Sequence, residues 1–411
     1  MLKRALAYEC DEIIARAAKR RLGYNICEET TSCTSKTKRK HGDYTAGWIC
    51  ALPLEMAAAQ AMLDEIHDDL RRDPKDHNAY TFGKIGRHNI VIACLPFGVY
   101  GATSAVAVAS QMQSSFPSIQ FGLMVGIGGG VPSSINDIRL GDIVVSKPMR
   151  NSGGVIQYDY GKAVREGCIE RTGALNKPPQ ALLTAVSKLD ANHRMKGSRV
   201  PSFLADMIEK FAHMKPNFTH QGQQRDRLFE AQYDHVESED TCDRCDTSKL
   251  VDRPPRDDID PRIHYGLIAS GNQVMRDGST RDRLAQELNA ICFEMEAAGL
   301  MDNFPCLVIR GISDYADSHK NKQWQEYAAA TAAAYAKEIL YVIPENIPIA
   351  ISPLTTNELQ DQYEAQLQLE RRFLLQNGLP PQILWEKPVV LNDARGRTYP
   401  FFLQMIDSIE V

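Results

Sequence analysis

Cys306-Leu307-Val308-Ile309-Arg310-Gly311-Ile312-Ser313-Asp314 is the stretch that decides the fold. Cys306 to Gly311 reads as a strand buried along its whole length, and it presents the acid Asp314, exposed, at its carboxyl end. Working outward, similar runs recur at Tyr44 to Leu52, Phe121 to Ile127, Asp142 to Lys147, Val155 to Tyr158 and His264 to Ala269. Tyr80 to Gly86 and Asn89 to Leu95 read as a hairpin around Gly86 and Arg87. Helical segments fall between these runs: Pro53 to Glu65, with proline where a first turn tolerates it, then Gly101 to Gln113, Gln180 to Leu189, Thr280 to Leu288 and a closing helix from Trp324 to Val342. Strands that are apolar throughout and alternate with helices predict a mostly parallel sheet covered on both faces.

The 411 residues suit one large domain with appendages, and 43% hydrophobic with 24% charged residues is a globular composition. Residues 1–42 read as a helix and a linker, 43–345 as the main domain, and 346–411 as a helical linker, with a charged helix Asn357 to Gln376, leading into the start of a further module. Residues 195–262, polar and containing Arg253-Pro254-Pro255-Arg256, read as an insertion, a lid or adaptor rather than core. The longest apolar runs, such as Phe121 to Val131, fall short of the ~18–20 residues a spanning helix needs. Ten cysteines, mostly single and inside apolar runs, fit reduced thiols and a cytoplasmic or nuclear setting. A net charge of -5 gives no reason to expect nucleic acid as a partner.

Four short segments carry the chemistry, each at the end of an expected strand, where α/β sites lie. They are Ala51-Leu52-Pro53-Leu54-Glu55, Gly126-Ile127-Gly128-Gly129-Gly130, Phe293-Glu294-Met295-Glu296-Ala297, and Arg310 to Asp314. Each also has a plainer reading. Glu55 can serve the dipole of the helix it opens, the glycines can make a tight turn, and Asp314 can cap the next helix. If the third segment is extended, Glu294 and Glu296 point to opposite faces, leaving one of them solvated.

Taken together and in this order, the segments resemble the nucleoside phosphorylase superfamily, in the branch containing methylthioadenosine/S-adenosylhomocysteine nucleosidases. They resemble more closely the phosphorylase-like domains at the N-termini of fungal multidomain, NLR-like receptors. The resemblance covers about Asp43 to Pro344, with Ser270 to Met275 and Arg310 to Asp317 its most specific segments. It implies a three-layer α/β/α fold around a mixed sheet, assembly into homo-oligomers, a purine nucleoside or nucleotide as ligand, and no cofactor. By that resemblance Asp314 is the acid that meets purine N7, with Ser313 orienting it. Glu296 accepts the ribose hydroxyls while Met295 packs on the sugar, and Glu55 directs the attacking water. Gly98, Gly128 and Gly129 belong to loops that close on the sugar and the nucleophile, and Val274 and Met275 address the base edge.

The residue types suit N-glycosidic cleavage, because an acid at the leaving base contributes about 10²–10⁴ in rate. Such an acid must stay protonated, so an apolar setting is expected for Asp314. A phosphate nucleophile calls for arginines after the first strand and before the glycine run. This sequence has Glu55 and Leu123-Met124-Val125 there, which favours a hydrolase over a phosphorylase; Arg87, Arg139 and Arg150 are the arginines that could reverse this. A receptor module that binds a nucleoside without turning it over is the competing class.

The insertion leaves two alternatives open. Cys242-Asp243-Arg244-Cys245, with His235 upstream, is either a pair of free thiols or half a zinc site, and no second CxxC exists to complete it. No bound metal is expected. Arg244, Arg253 and Arg256 either solvate the loop or meet the 5'-phosphates of a nucleotide.

Overall fold

The computed structural model describes residues 39–163, 169–236, 241–345, 389–392 and 398–401. The expected N-terminal helix and the charged helix Asn357 to Gln376 lie outside them. The chain divides into two units, Met1–Ile343 and Pro344–Val411. In the second, Val389–Asn392 pairs antiparallel with Thr398–Phe401.

The first unit opens with β1 (Ala46–Cys50), α1 (Pro53–Ala61), β2 (Glu65–Ile66), β3 (Tyr80–Ile85), β4 (His88–Cys94), α2 (Ala102–Ser115) and β5 (Phe121–Gly130). Then come β6 (Ile143–Ser146), β7 (Val155–Gln157), β8 (Gly161–Ala163), β9 (Ile169–Arg171), α3 (Gln180–Lys196) and α4 (Val200–Lys210). It ends with β10 (Ile263–Ser270), α5 (Gly278–Leu288), β11 (Ala290–Glu294), α6 (Ala297–Leu300), β12 (Cys306–Asp314) and α7 (Gln325–Leu340).

Ten of the strands form one mixed sheet in the order β11-β10-β6-β12-β5-β1-β4-β3-β2, with β7 paired to β10. The centre is parallel (β12·β5, β5·β1, β1·β4), while β6 meets β12 antiparallel. Neighbouring residues of a strand face opposite sides of the sheet. Every residue of β1 and β12 is nonetheless buried, so helices must cover both faces. This is the α/β/α arrangement expected from the sequence. β11 also turns back to pair antiparallel with the end of β5, through Cys292↔Gly130 and Phe293↔Gly129. β5, β12, β6, β10 and β11 thus close a circuit, and the glycine run, Glu294 and Asp314 all lie where it closes.

Three details differ from the sequence reading. β5 continues through the glycines to Gly130, because Gly126 to Gly129 keep pairing with β12. Asp314 is the last residue of β12, in register with Gly129, and is only 4% exposed rather than open to solvent. The polar excursion 195–262 is not uniformly irregular: α4 buries Val200, Phe203 and Met207 at helical spacing, with a proline in its first turn. Among the described residues no helix is long and apolar enough to cross a membrane.

Candidate active site

Arg310 lies in the middle of β12, fully buried, and a buried guanidinium must find acceptors. It finds carboxylates at the ends of two other elements. Nη2 donates to Glu294 in a very short contact and to Glu296 Oε2 at 3.3 Å, while Nη1 donates to the carbonyl of Ile127 at 3.2 Å. Nε alone has no partner. Glu294 ends β11, and its carboxylate also accepts the N–H groups of Glu296 and Ala297. Glu296 has left the strand (φ -117°, ψ -36°) to start α6, so the alternation expected of an extended segment does not apply. Both glutamates are buried, and neither is a solvated surface residue.

Glu55, three residues into α1's first turn, completes the cluster. Its Oε2 accepts Ala51 N–H at 2.7 Å and Leu52 N–H at 3.0 Å, and its Oε1 accepts Ile127 N–H at 2.8 Å. The helix-start role is therefore real, and the same carboxylate also reaches the glycine strand. Burial pushes its pKa up, against the opposing pull of Arg310. Burial likewise pushes Glu296 up to about 7; Arg310 opposes this, and Glu294 and Glu55 add to it. Glu296 Oε1 in addition accepts Gly101 N–H at 3.3 Å, which ties it to the loop holding Gly98. That loop is open: Gly98 has φ +78° with empty space around it, and Phe97 beside it is 90% exposed.

Further along β12, Asp314 accepts from Ser313 Oγ at 2.8 Å and from the N–H of Ala316, a residue with φ +54°. The setting is less apolar than the chemistry led us to expect. Lys320 Nζ stands 3.0 Å from Asp314 Oδ2, a partner the sequence reading missed. A cavity of about 270 Å³ opens here, lined by Ser313, Asp314, Tyr315 and Asp317 on one side and by Arg225 and Thr241 to Asp243 of the insertion on the other. Behind Asp314, Met275 packs on a cluster containing Ala316, Tyr158 and Phe293. The two rings meet edge to face at 5.6 Å, and Tyr158 donates its hydroxyl to the Gln273 carbonyl at 2.9 Å. Met295 is half-buried beside Glu296, and Val274 is 46% exposed.

A family model described as "Phosphorylase superfamily" matches residues 45–343. The chain belongs to this superfamily. It is 48% identical over 312 residues to a "Nucleotide-binding leucine-rich repeat (NLR)-like protein" of Hyaloscypha variabilis, an alignment covering 76% of this chain and 30% of that protein. The chain thus spans about a third of the length of that relative. It is 23% identical to the "5'-methylthioadenosine/S-adenosylhomocysteine nucleosidase" of Mycobacterium bovis, over 73% of this chain and 97% of that one. It is 22% identical to the "ATP nucleosidase Cap17" of Escherichia coli, over 71% of this chain and 50% of that protein.

Within this phosphorylase-superfamily domain the insertion's arginines act as struts. Arg256 holds both oxygens of buried Asp142 at 2.7 Å each. Arg253 pairs with Asp226 at 3.1 Å and donates to Tyr315 Oη at 2.9 Å. Both guanidinium groups are thus engaged by carboxylates of the domain rather than left to solvate a loop. Arg244 is exposed on the turn between the two cysteines. Arg139 pairs with Asp137 and donates to the Pro254 carbonyl, outside the carboxylate cluster. Arg310, the cation at the heart of the site, was passed over in the sequence for want of a role. The signal was there: an arginine inside an apolar strand requires a buried partner.

Proposed function

We propose that this chain is a purine nucleoside N-ribosyl hydrolase. What carries the reading is the spacing along one strand pair. Asp314 and Arg310 lie four residues apart on β12, opposite Gly129 and Gly126 of β5. At ~3.3 Å per residue, that sets an acid and a carboxylate cluster at the two ends of a span of about 13 Å between Cα atoms. The base would lie against Asp314, Met275 and the Tyr158–Phe293 pair, and the ribose hydroxyls against Glu296. As the bond between the anomeric carbon and the base nitrogen breaks, its electron pair goes to the purine. A proton reaches the purine at N7 through Asp314, supplied by the Lys320 ammonium 3.0 Å from its Oδ2, and positive charge develops on the sugar beside Glu296 and Glu55. Water adds to the anomeric carbon and gives its proton to Glu55, which burial makes a stronger base than an exposed carboxylate.

Water suits this cluster better than phosphate. Three glutamates surround one guanidinium, and three of that guanidinium's contacts already go to Glu294, Glu296 and Ile127. A phosphate dianion would meet net negative charge with few donors to receive it. The test is incubation of purified protein with a panel of purine nucleosides and nucleotides, with and without inorganic phosphate. Free base with ribose, or its 5'-substituted form, at a phosphate-independent rate supports the reading. Ribose 1-phosphate as the main product would make the protein a phosphorylase.

The NLR-like relative supports a second reading, a module that binds a purine nucleoside for a larger receptor without cleaving it. Saturable binding by calorimetry, with no base released from any member of the panel, would select it.

A further inference from the structure

The part of the insertion beyond its helix, about residues 229–250, has little core of its own. Its own core is three buried residues, Phe229, Cys242 and Cys245, with Tyr233 and Leu250 packed against them. So small a core needs an additional staple to hold one conformation. The same residues bring ligands together. One ligand atom each from His235, Cys242 and Cys245 lies within 4.8 Å of the others, and both thiols are buried. Around a tetrahedral zinc, with bonds of ~2.0–2.3 Å, ligand atoms sit ~3.3–3.8 Å apart, so closure asks for a contraction of about an ångström. His235 is pre-oriented: its Nε2 lies 3.1 Å from the Thr241 carbonyl, and the tautomer donating there leaves Nδ1 unprotonated for a metal.

A fourth side chain lies nearby, outside the group of three whose ligand atoms fall within 4.8 Å of one another, so its ring must swing in to reach a metal. His319 is 6% exposed, neither of its ring nitrogens has a hydrogen-bond partner, and its ring centroid is 5.4 Å from that of His235. A buried imidazole with both nitrogens unsatisfied is costly unless something occupies them. Its backbone carbonyl already receives Cys242 Sγ at 3.7 Å.

We propose that His235, Cys242 and Cys245, completed by His319, form a structural zinc site that fixes the insertion over the cavity beside Asp314. Two thiolates and imidazole nitrogen are the donors zinc favours, and a closed four-ligand set makes it structural rather than catalytic. On binding, the two thiol protons pass to solvent and no group changes oxidation state. Thr241, Cys242 and Asp243 line the same cavity as Asp314, so the metal would hold one wall of that cavity in place.

The experiment uses the full chain and needs no turnover, so its outcome is separate from that of the hydrolase reading. Protein purified without added metal is analysed for zinc, stripped with a chelator, and titrated with Co²⁺ alone. About one zinc per chain is expected as purified. Cobalt loading should give visible d–d bands and a thiolate-to-cobalt charge-transfer band, both lost in Cys242→Ser/Cys245→Ser and kept in Cys94→Ser. If the double variant fails to fold, the wild-type charge-transfer band and a fall in Tm on chelation still decide. Zinc well below stoichiometry in the wild type, bands that survive the double substitution, or recovery of Cys242 and Cys245 as a disulfide would each overturn the proposal.

Discussion

Glu55 Oε1 occupies the space a side chain on Gly126 would need, and it accepts the N–H of the next residue, Ile127, at 2.8 Å. A Cβ on Gly126 would also stand 2.7 Å from Arg310 Nη1. The backbone of β5 therefore runs bare between a carboxylate and a guanidinium. Gly126→Ala is expected to push Glu55 off its N–H donors, with a stability loss of ~1–3 kcal/mol, as for other overpacked sites. Turnover should fall at least about tenfold, the effect of misplacing a proton-transfer group. Thermal melts and steady-state rates check this; an unchanged melt with unchanged rate would mean Glu55 has room the geometry denies it.

Asp314→Asn should lower turnover by about two to four orders of magnitude with little change in KM, since an amide cannot give up a proton to the leaving base. The variant retains hydrogen-bonding groups for Ser313 and Ala316, so it should fold. Wild-type turnover in the folded variant would remove Asp314 from the reaction.

The raised pKa of Glu296 makes stability depend on pH. An unfolded glutamate titrates near 4.5, and burial moves this one up to about 7 in the folded protein. The folded state therefore holds the proton more tightly. Its contribution is fully present below about 4.5 and is lost as pH rises through about 7. At ~1.4 kcal/mol per pH unit of difference, the loss is on the order of 3 kcal/mol. Between about pH 5 and 8 the wild type should lose stability relative to Glu296→Gln as pH rises, whatever slope the buried histidines impose on both. Parallel slopes would place the titration on another group.

Arg256→Ala leaves Asp142 buried without its bidentate partner, a change that typically costs ~3–5 kcal/mol in a buried pair. Because the arginine acts as a strut, kcat/KM should change by the same factor for ATP and for adenosine. A loss confined to ATP would return Arg256 to the 5' end of a nucleotide.

Much of the domain is legible in sequence because its strands are apolar on both faces and punctuated by glycine. Phe121 to Ile127 and Cys306 to Gly311 announce themselves as strands by composition alone. Partnerships between distant residues leave no such trace. The pairing of Arg310 with Glu294 and Glu296 needs β11 folded back onto β5, and alternation misled at Glu296 because the strand ends two residues earlier. The helix at Val200 is masked by its polar surroundings. Only the fold could tie Arg253 and Arg256 to Asp226 and Asp142.

The closed circuit of β5, β12, β6, β10 and β11 also decides what the sheet offers to its neighbours. An open edge is a row of unpaired N–H and C=O groups on which a foreign chain can template itself. Here β11 is paired on both sides, so the outer borders among the described residues are β2, two residues long, and β7, three residues long. Two or three residues give a fibril little to grow on. A domain so blunted can be joined in one polypeptide to others, or crowded beside copies of itself, without its strands straying into theirs.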